Sequence, residues 1–143
     1  MKSLIRTVFL SALIVCLTTM AVGCSAKQQL GYYSQRENYV TVTGVVSHIS
    51  YNREQTALYL GFDMLDPTMD DSNFKIVGDN LLAVRAKGID NKIKIGTEVE
   101  FVTAPRYFGD GYVMPIVSIC IDGEELLGVD AGIQNFLAWL KNS

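Results

Sequence analysis

The sequence predicts a mainly β protein: a small closed barrel of five strands and one C-terminal helix, behind an apolar leader and a polar tether. Three observations predict it. Residues 39–51 read Y-V-T-V-T-G-V-V-S-H-I-S-Y, β-branched and alternating, which suits a half-buried pleated strand. Shorter alternating runs follow, separated by polar or glycine-containing turns. Near the C-terminus Leu126, Val129, Ile133, Phe136, Leu137 and Leu140 recur at helical spacing.

The leader comes first. Lys2 and Arg6 give a short basic region, and residues 4–22 are mostly apolar with no acid, the pattern of a secretory signal. A membrane-crossing helix needs about 20 predominantly apolar residues. Thr18, Thr19, Ala21 and Gly23 weaken the end of this segment, which leaves an uncleaved anchor and a plain cleaved signal as secondary readings. The segment closes on Ala21-Val22-Gly23-Cys24-Ser25. That stretch resembles the lipobox of bacterial lipoproteins, with Ala21 where leucine is usual. The resemblance implies cleavage before Cys24 and lipid, palmitate included, on the Cys24 sulfur and its new amino group. Ser25 is not the aspartate that retains enterobacterial lipoproteins in the inner membrane. The implied location is the bacterial cell envelope: the outer membrane if Gram-negative, the outer face of the cytoplasmic membrane if Gram-positive.

Removing residues 1–23 takes away Lys2, Arg6 and no acid, so 10 bases face 15 acids, a formal charge of −5. A field of that sign does not draw in phosphate backbones, so nucleic acid is disfavoured as a partner. Of the three cysteines, Cys16 leaves with the leader and Cys24 takes lipid. Cys120 then has no disulfide partner within the chain, and stability falls to the apolar core.

Residues 24–38 are glutamine-rich and polar, a tether with Tyr32 and Tyr33 resting on the domain or at a lipid interface. In the first strand Val40 and Val42 share one face, and after Gly44 the apolar set becomes Val45, Ile49 and Tyr51, so a bulge or bend is expected at Gly44. Residues 52–55 form a polar turn. The second strand, 56–64, turns Leu58, Leu60 and Phe62 inward. Residues 65–79 are a loop with Pro67, four acids and an apolar interruption at Phe74, Ile76 and Val77. The third strand is expected over 81–87 with Leu82, Val84 and Ala86 inward, and 88–96 is a turn with a short helical or extended piece. The fourth strand, 97–103, turns Val99 and Phe101 inward and Glu98 and Glu100 outward. The fifth spans 112–121, where Pro115 argues for an edge or a bulge. One helix is expected over 124–141, covering an open end of the barrel, with Gly128 and Gly132 weakening its first half.

The order Val42-Thr43-Gly44-Val45-Val46-Ser47-His48-Ile49, Leu58-Tyr59-Leu60, Ile95-Gly96-Thr97-Glu98-Val99-Glu100-Phe101 and Pro115-Ile116-Val117-Ser118-Ile119-Cys120-Ile121 looks like the tRNA_anti-like family of OB folds. The resemblance covers most of residues 39–122 and implies a five-stranded OB-like barrel. It further implies a ligand face around the second and third strands. The division is therefore 1–23 leader, 24–38 tether, 39–122 barrel and 123–143 helix.

The candidate chemistry is thin. Asp63, Asp66, Asp70 and Asp71 are carboxylates of the kind that bind hard cations, but without EF-hand spacing, so a solvated loop is the simpler reading. His48, the one histidine, lacks a second imidazole for a common zinc set. Cys120 would serve as a nucleophile only if the fold brought it to His48. Tyr59, Tyr107, Phe108 and Tyr112, with Tyr51 nearby, are expected to border a groove for a peptide or glycan, with packing under the C-terminal helix as the alternative. Arg53, Arg85 and Arg106 keep nucleic acid as a minor option. The leading expectation is a lipid-anchored, non-catalytic binding module for an envelope protein, peptide or glycan, without cofactor or metal. The alternative is a small hydrolase or divalent-metal protein using the acidic loop.

Overall fold

The computed structural model describes residues 27–109 and 111–143; the leader and Cys24 lie outside them. Residues 27–33 are helical, and a single 3-10 turn, Arg36–Asn38, precedes the first strand. From Tyr33 to the C-terminus the chain is one compact unit. Six strands follow: β1 (Val40–Tyr51), β2 (Ala57–Met64), β3 (Ser72–Val77), β4 (Glu98–Thr103), β5 (Met114–Ile121) and β6 (Glu124–Leu127). Helices α1 (Gly78–Ala86) and α2 (Ile89–Lys92) lie between β3 and β4, and α3 (Val129–Asn142) ends the chain. Among the described residues no helix is long and apolar enough to cross a membrane.

The sheet order is β3-β2-β1-β4-β5-β6, and a parallel pairing of β3 with β5 closes the first five strands into an OB-like barrel. Strand β1 is long enough to serve two neighbours. Its first half pairs with β4 (Val42 to Phe101) and its second with β2 (Ile49 to Leu60). The expected change of phase exists, but at Ser47 rather than Gly44. Val42, Gly44 and Val46 face the core, the register slips between Val46 and His48, and Ile49 and Tyr51 resume the inward face. Val45 is therefore on the outer side. Gly44 answers a different need: a Cβ there would stand 2.9 Å from the Phe62 Cβ, so the missing side chain makes room for Phe62.

The third strand departs from expectation. It is Ser72–Val77, around the apolar interruption at Phe74, Ile76 and Val77, and residues 81–87 are mostly helical. Gly78, at φ +59°, turns the chain out of β3, and Gly88, at φ +81°, ends the first helix. Leu81 and Val84, three apart, are buried with Ile89 and Ile93 in the barrel core, while Leu82 is 66% exposed and Ala86 is exposed. The alternation of Leu82, Val84 and Ala86 is thus the misleading period, and the i, i+3 spacing is the one used.

The C-terminal segment also divides. Asp122 (φ 52°) and Gly123 (φ 77°) make the two-residue turn of a hairpin, and Glu124–Leu127 pairs back onto β5 as β6. The helix starts only at Val129. It does not cap an open end; it packs on β5 and α1. At Gly132 an added Cβ would lie 1.6 Å from the Val117 carbonyl oxygen. Val117 is the extra residue where β5 slips against β4, next to the Thr103–Ile116 pair, so the bulge expected from Pro115 falls two residues later. Asn80, fully buried, donates to the Gly132 carbonyl (2.8 Å) and accepts from Asn135 (3.0 Å), tying α1 to α3.

The tether expected over 24–38 is corrected from Tyr33 onward. Tyr33 is fully buried, edge-on to Phe136 at 5.0 Å, and its hydroxyl donates to the Arg106 carbonyl (2.7 Å). Tyr39 donates to the Tyr33 carbonyl, and Arg36 pairs with Asp130 on α3. Residues 33–39 therefore belong to the folded unit.

Candidate functional site

The alternation of strands places two sets of side chains outside the barrel. On β1, β2 and β3 the cross-strand rows are Ser50–Tyr59–Lys75 and His48–Gly61–Asn73, with Asp63 and Asp71 beyond. Gly61 sits in the middle of this face without a side chain. A Cβ there would be 3.0 Å from both the Asn73 Oδ1 and the His48 Cβ. The result is a shallow polar dent of about 170 Å³, lined by Ser47, Gly61, Asp63, Asp71, Ser72 and Asn73 among others. Hydroxyl, amide and carboxylate groups border it, and Tyr59 and Lys75 continue the face along the strands.

The four aromatics expected to border one groove do not share one surface. Phe108 is buried, 2% exposed, packed edge-on against Phe136 (5.0 Å) and Trp139 (5.6 Å) of α3. That corrects its assignment to a groove: the alternative, packing under the C-terminal helix, is its fate. Tyr59 is half-buried, and the Lys75 ammonium stands 5.3 Å from its ring centroid and 5.7 Å from those of Phe108 and Trp139. Cation–π attraction of this kind holds a lysine head among rings. Tyr107 and Tyr112 are 53% and 84% exposed and meet each other edge-on at 5.7 Å. Lys75 was invisible as a site residue in sequence, where it reads as one more outward polar position.

The acidic residues are organised by the loop rather than around an ion. Asp71 accepts from the Met64 N–H (2.8 Å). Asp66 accepts from the Thr68 backbone N–H (2.9 Å) and hydroxyl (2.7 Å), and these bonds, the backbone one first, hold its carboxyl below the usual range. Asp63 and Asp70 are exposed. Among the described residues no three His, Cys, Asp or Glu side chains are grouped to hold a metal.

His48 and Cys120 do not meet. Cys120 lies opposite Glu100, which lies opposite Thr43, and His48 is five positions further along β1 than Thr43, about 16 Å along a strand. His48 Nε2 instead lies 3.0 Å from Ser50 Oγ on its own strand. Cys120 lines a second, acidic concavity of about 480 Å³ with Thr43, Glu98, Glu100, Asp122 and Gly123.

Arg85 and Tyr51 form a clamp with Asp90. The guanidinium carbon stands 5.1 Å from the Tyr51 ring centroid, Arg85 Nε is 3.4 Å from Asp90, and the Tyr51 hydroxyl donates to Asp90. Burial first, then the hydrogen bond and the charge of Asp90, push the Tyr51 phenol up from 10.0 to about 12. The folded state therefore holds this proton more tightly than the unfolded chain. Its contribution is complete below pH 10 and is lost as pH rises from 10 toward 12. Tyr51→Phe is expected to flatten the alkaline fall of stability across that window, read by urea denaturation at successive pH values. An unchanged pH slope would remove the clamp. Arg53 and Arg106 are exposed.

No known protein family, curated protein or solved structure matches the chain.

Proposed function

We propose that this chain is a non-catalytic binding module, held at a bacterial envelope membrane by lipid on Cys24, whose outer β1–β2–β3 face takes a glycan segment. The observation that carries the reading is the dent over Gly61. It offers an amide at Asn73, carboxylates at Asp63 and Asp71 and a hydroxyl at Ser47, with the Tyr59 ring on the same face. Sugars bind by laying an apolar ring face on an aromatic side chain and sharing hydroxyls with amides and carboxylates. In OB folds the face of strands two and three is where oligosaccharides and oligonucleotides bind. Here its carboxylates, with the mature charge of −5, favour the neutral ligand over the nucleic acid. The lipobox resemblance supports the membrane location.

The probe is a set of neutral β-linked N-acetylated amino-sugar oligosaccharides titrated into the full chain in detergent micelles, followed by amide NMR shifts. Shifts are expected at residues 47–50, 59–63 and 71–75. Asn73→Ala is expected to weaken binding about tenfold, the value of one lost hydrogen bond. Gly61→Ala, which fills the dent, is expected to weaken it more. Absence of shifts at millimolar oligosaccharide, or equal affinity in both variants, would overturn the reading.

The His48–Ser50 pair favours a second reading, hydrolysis of the same ligand. Hydrolases of that type need a third group orienting the imidazole and donors for an oxyanion. Among the described residues His48 has no carboxylate partner. Turnover of the oligosaccharides by the wild-type chain, lost in Ser50→Ala, would favour the enzyme.

A further inference from the structure

The connection between β4 and β5 carries the two exposed aromatics of the described residues, Tyr107 and Tyr112. Their rings touch each other and stand out from the barrel, while Phe108 between them anchors the loop beneath α3. Gly109, at φ +67°, turns the chain just after Phe108. The same loop marks where the chain arrives from its N-terminus. The Tyr33 hydroxyl is bonded to the carbonyl of Arg106, the residue before Tyr107, and Val40, 39% exposed, pairs with Thr103 at the end of β4.

Eight residues lie between Cys24 and Tyr33. With 27–33 helical, that stretch of chain spans no more than about 20 Å, even if residues 24–26 are taken at full extension. A lipid on Cys24 thus keeps Arg106, and with it the tyrosine pair, within reach of the bilayer surface. Tyrosine suits that surface: its ring is apolar, its hydroxyl seeks water, and such side chains concentrate at the headgroup level of membranes. The charge balance selects the kind of contact. A domain of formal charge −5 gains nothing from anionic lipid, so the contact has to come from the rings.

We propose that Tyr107 and Tyr112 form a membrane-interface contact that seats the barrel on the headgroup layer of the bilayer holding its lipid. The inference rests on acylation of Cys24, and it removes these two tyrosines from the glycan face. Membrane retention comes from the acyl chains, and the tyrosine pair sets the orientation in which the barrel meets the surface.

The test uses the full lipidated chain in phosphatidylcholine vesicles containing brominated acyl chains, which quench indole fluorescence on contact. Tyr112→Trp is expected to be quenched at least twofold more than Leu82→Trp, a control 66% exposed on α1, with Trp139 common to both. The quenching is expected to persist at high salt. Mass spectrometry of the same samples reports acylation of Cys24. Acylated protein with equal quenching in the two variants overturns the tyrosine contact and leaves the anchor standing. An unmodified Cys24 overturns both. A blue shift of the introduced indole that follows protein concentration without vesicles would assign the pair to a second protein copy and overturn the lipid contact.

Discussion

Gly132→Ala is expected to cost about 3 kcal/mol or more of stability, although on an isolated helix the same change would stabilise by about 1 kcal/mol. The sign reverses because of one contact. The Cβ would stand 1.6 Å from the Val117 carbonyl oxygen, which is backbone of β5 between the paired residues Ile116 and Ser118. A flexible side chain could swing away; this oxygen cannot move without shifting β5. The remaining route is to lift α3. That would loosen the bonds from Asn80 to Gly132 and from Asn135 to Asn80, and a buried amide left unpaired costs about 1–3 kcal/mol by itself. Lifting α3 also opens the cluster of Tyr33, Phe108, Phe136 and Trp139. Gly128→Ala is the matched control. There the nearest atom is the Glu125 Oε1, 3.0 Å away at the end of an exposed side chain, and a loss below about 1 kcal/mol is expected. Urea denaturation of the two variants decides it. Equal midpoints would mean that α3 does not approach β5 as closely as the structure has it.

The glycines show why part of this fold is legible in sequence and part is not. Strands β1, β2 and β4 stand out because each alternates over six residues or more against one continuous core, and β5 stands out by its density of β-branched residues. Strand β3 has only Phe74 and Ile76 buried in alternation, set among acids, and that short pattern is easily lost beside the more apolar run at 81–86. That run is helical because Gly78 breaks the strand before it and because its core contacts fall at 81 and 84. Both facts are in the sequence, but choosing between two periods requires knowing where the core lies. The hairpin to β6 was the most readable feature missed. Asp122-Gly123 is among the strongest short signals for a two-residue hairpin turn, and the helical spacing of Leu126 and Val129, which runs across the junction of β6 with α3, is accidental. Gly132 reads as a helix weakener in sequence, yet its absent side chain is what lets α3 dock.

The site was less legible than the fold. Alternation correctly sets Tyr59 opposite Leu58 and Leu60, because a strand sends neighbours to opposite faces. No periodicity governs the β4–β5 connection, so nothing local separates Phe108, turned under α3, from Tyr107 and Tyr112, turned out. The dent over Gly61 depends on cross-strand register. Asn73, His48 and Gly61 meet only after β1 slips by one residue at Ser47, and such a slip moves every later side chain of β1 relative to β2.

Phe101→Ala is expected to cost about 3–5 kcal/mol, the range for emptying a fully buried aromatic position. Phe101 is 1% exposed, at the middle of β4 between Val42 and Ile119. Its ring stacks on Phe62 at 4.5 Å and meets Phe74 edge-on at 4.8 Å, while Phe62 and Phe74 touch at 5.6 Å. The three rings come from β2, β3 and β4, so one truncation on β4 removes contacts to two strands on the far side of β1. Collapse around the void is hindered, because Gly44 has already admitted the Phe62 ring against the backbone of β1 and leaves it little freedom to follow. The cost should therefore fall toward the upper part of the range, and Phe101→Leu, which keeps most of the volume, should lose markedly less. Leu82→Ala serves as the opposite extreme. A strand over 81–87 would make Leu82 a core residue, whereas at 66% exposure on α1 its truncation is expected to stay within about 0.5 kcal/mol. Chemical denaturation of the three variants reads both points. A loss below about 1 kcal/mol for Phe101→Ala would overturn the pairing of β4 with β1, and one above about 2 kcal/mol for Leu82→Ala would overturn the helix over 78–86.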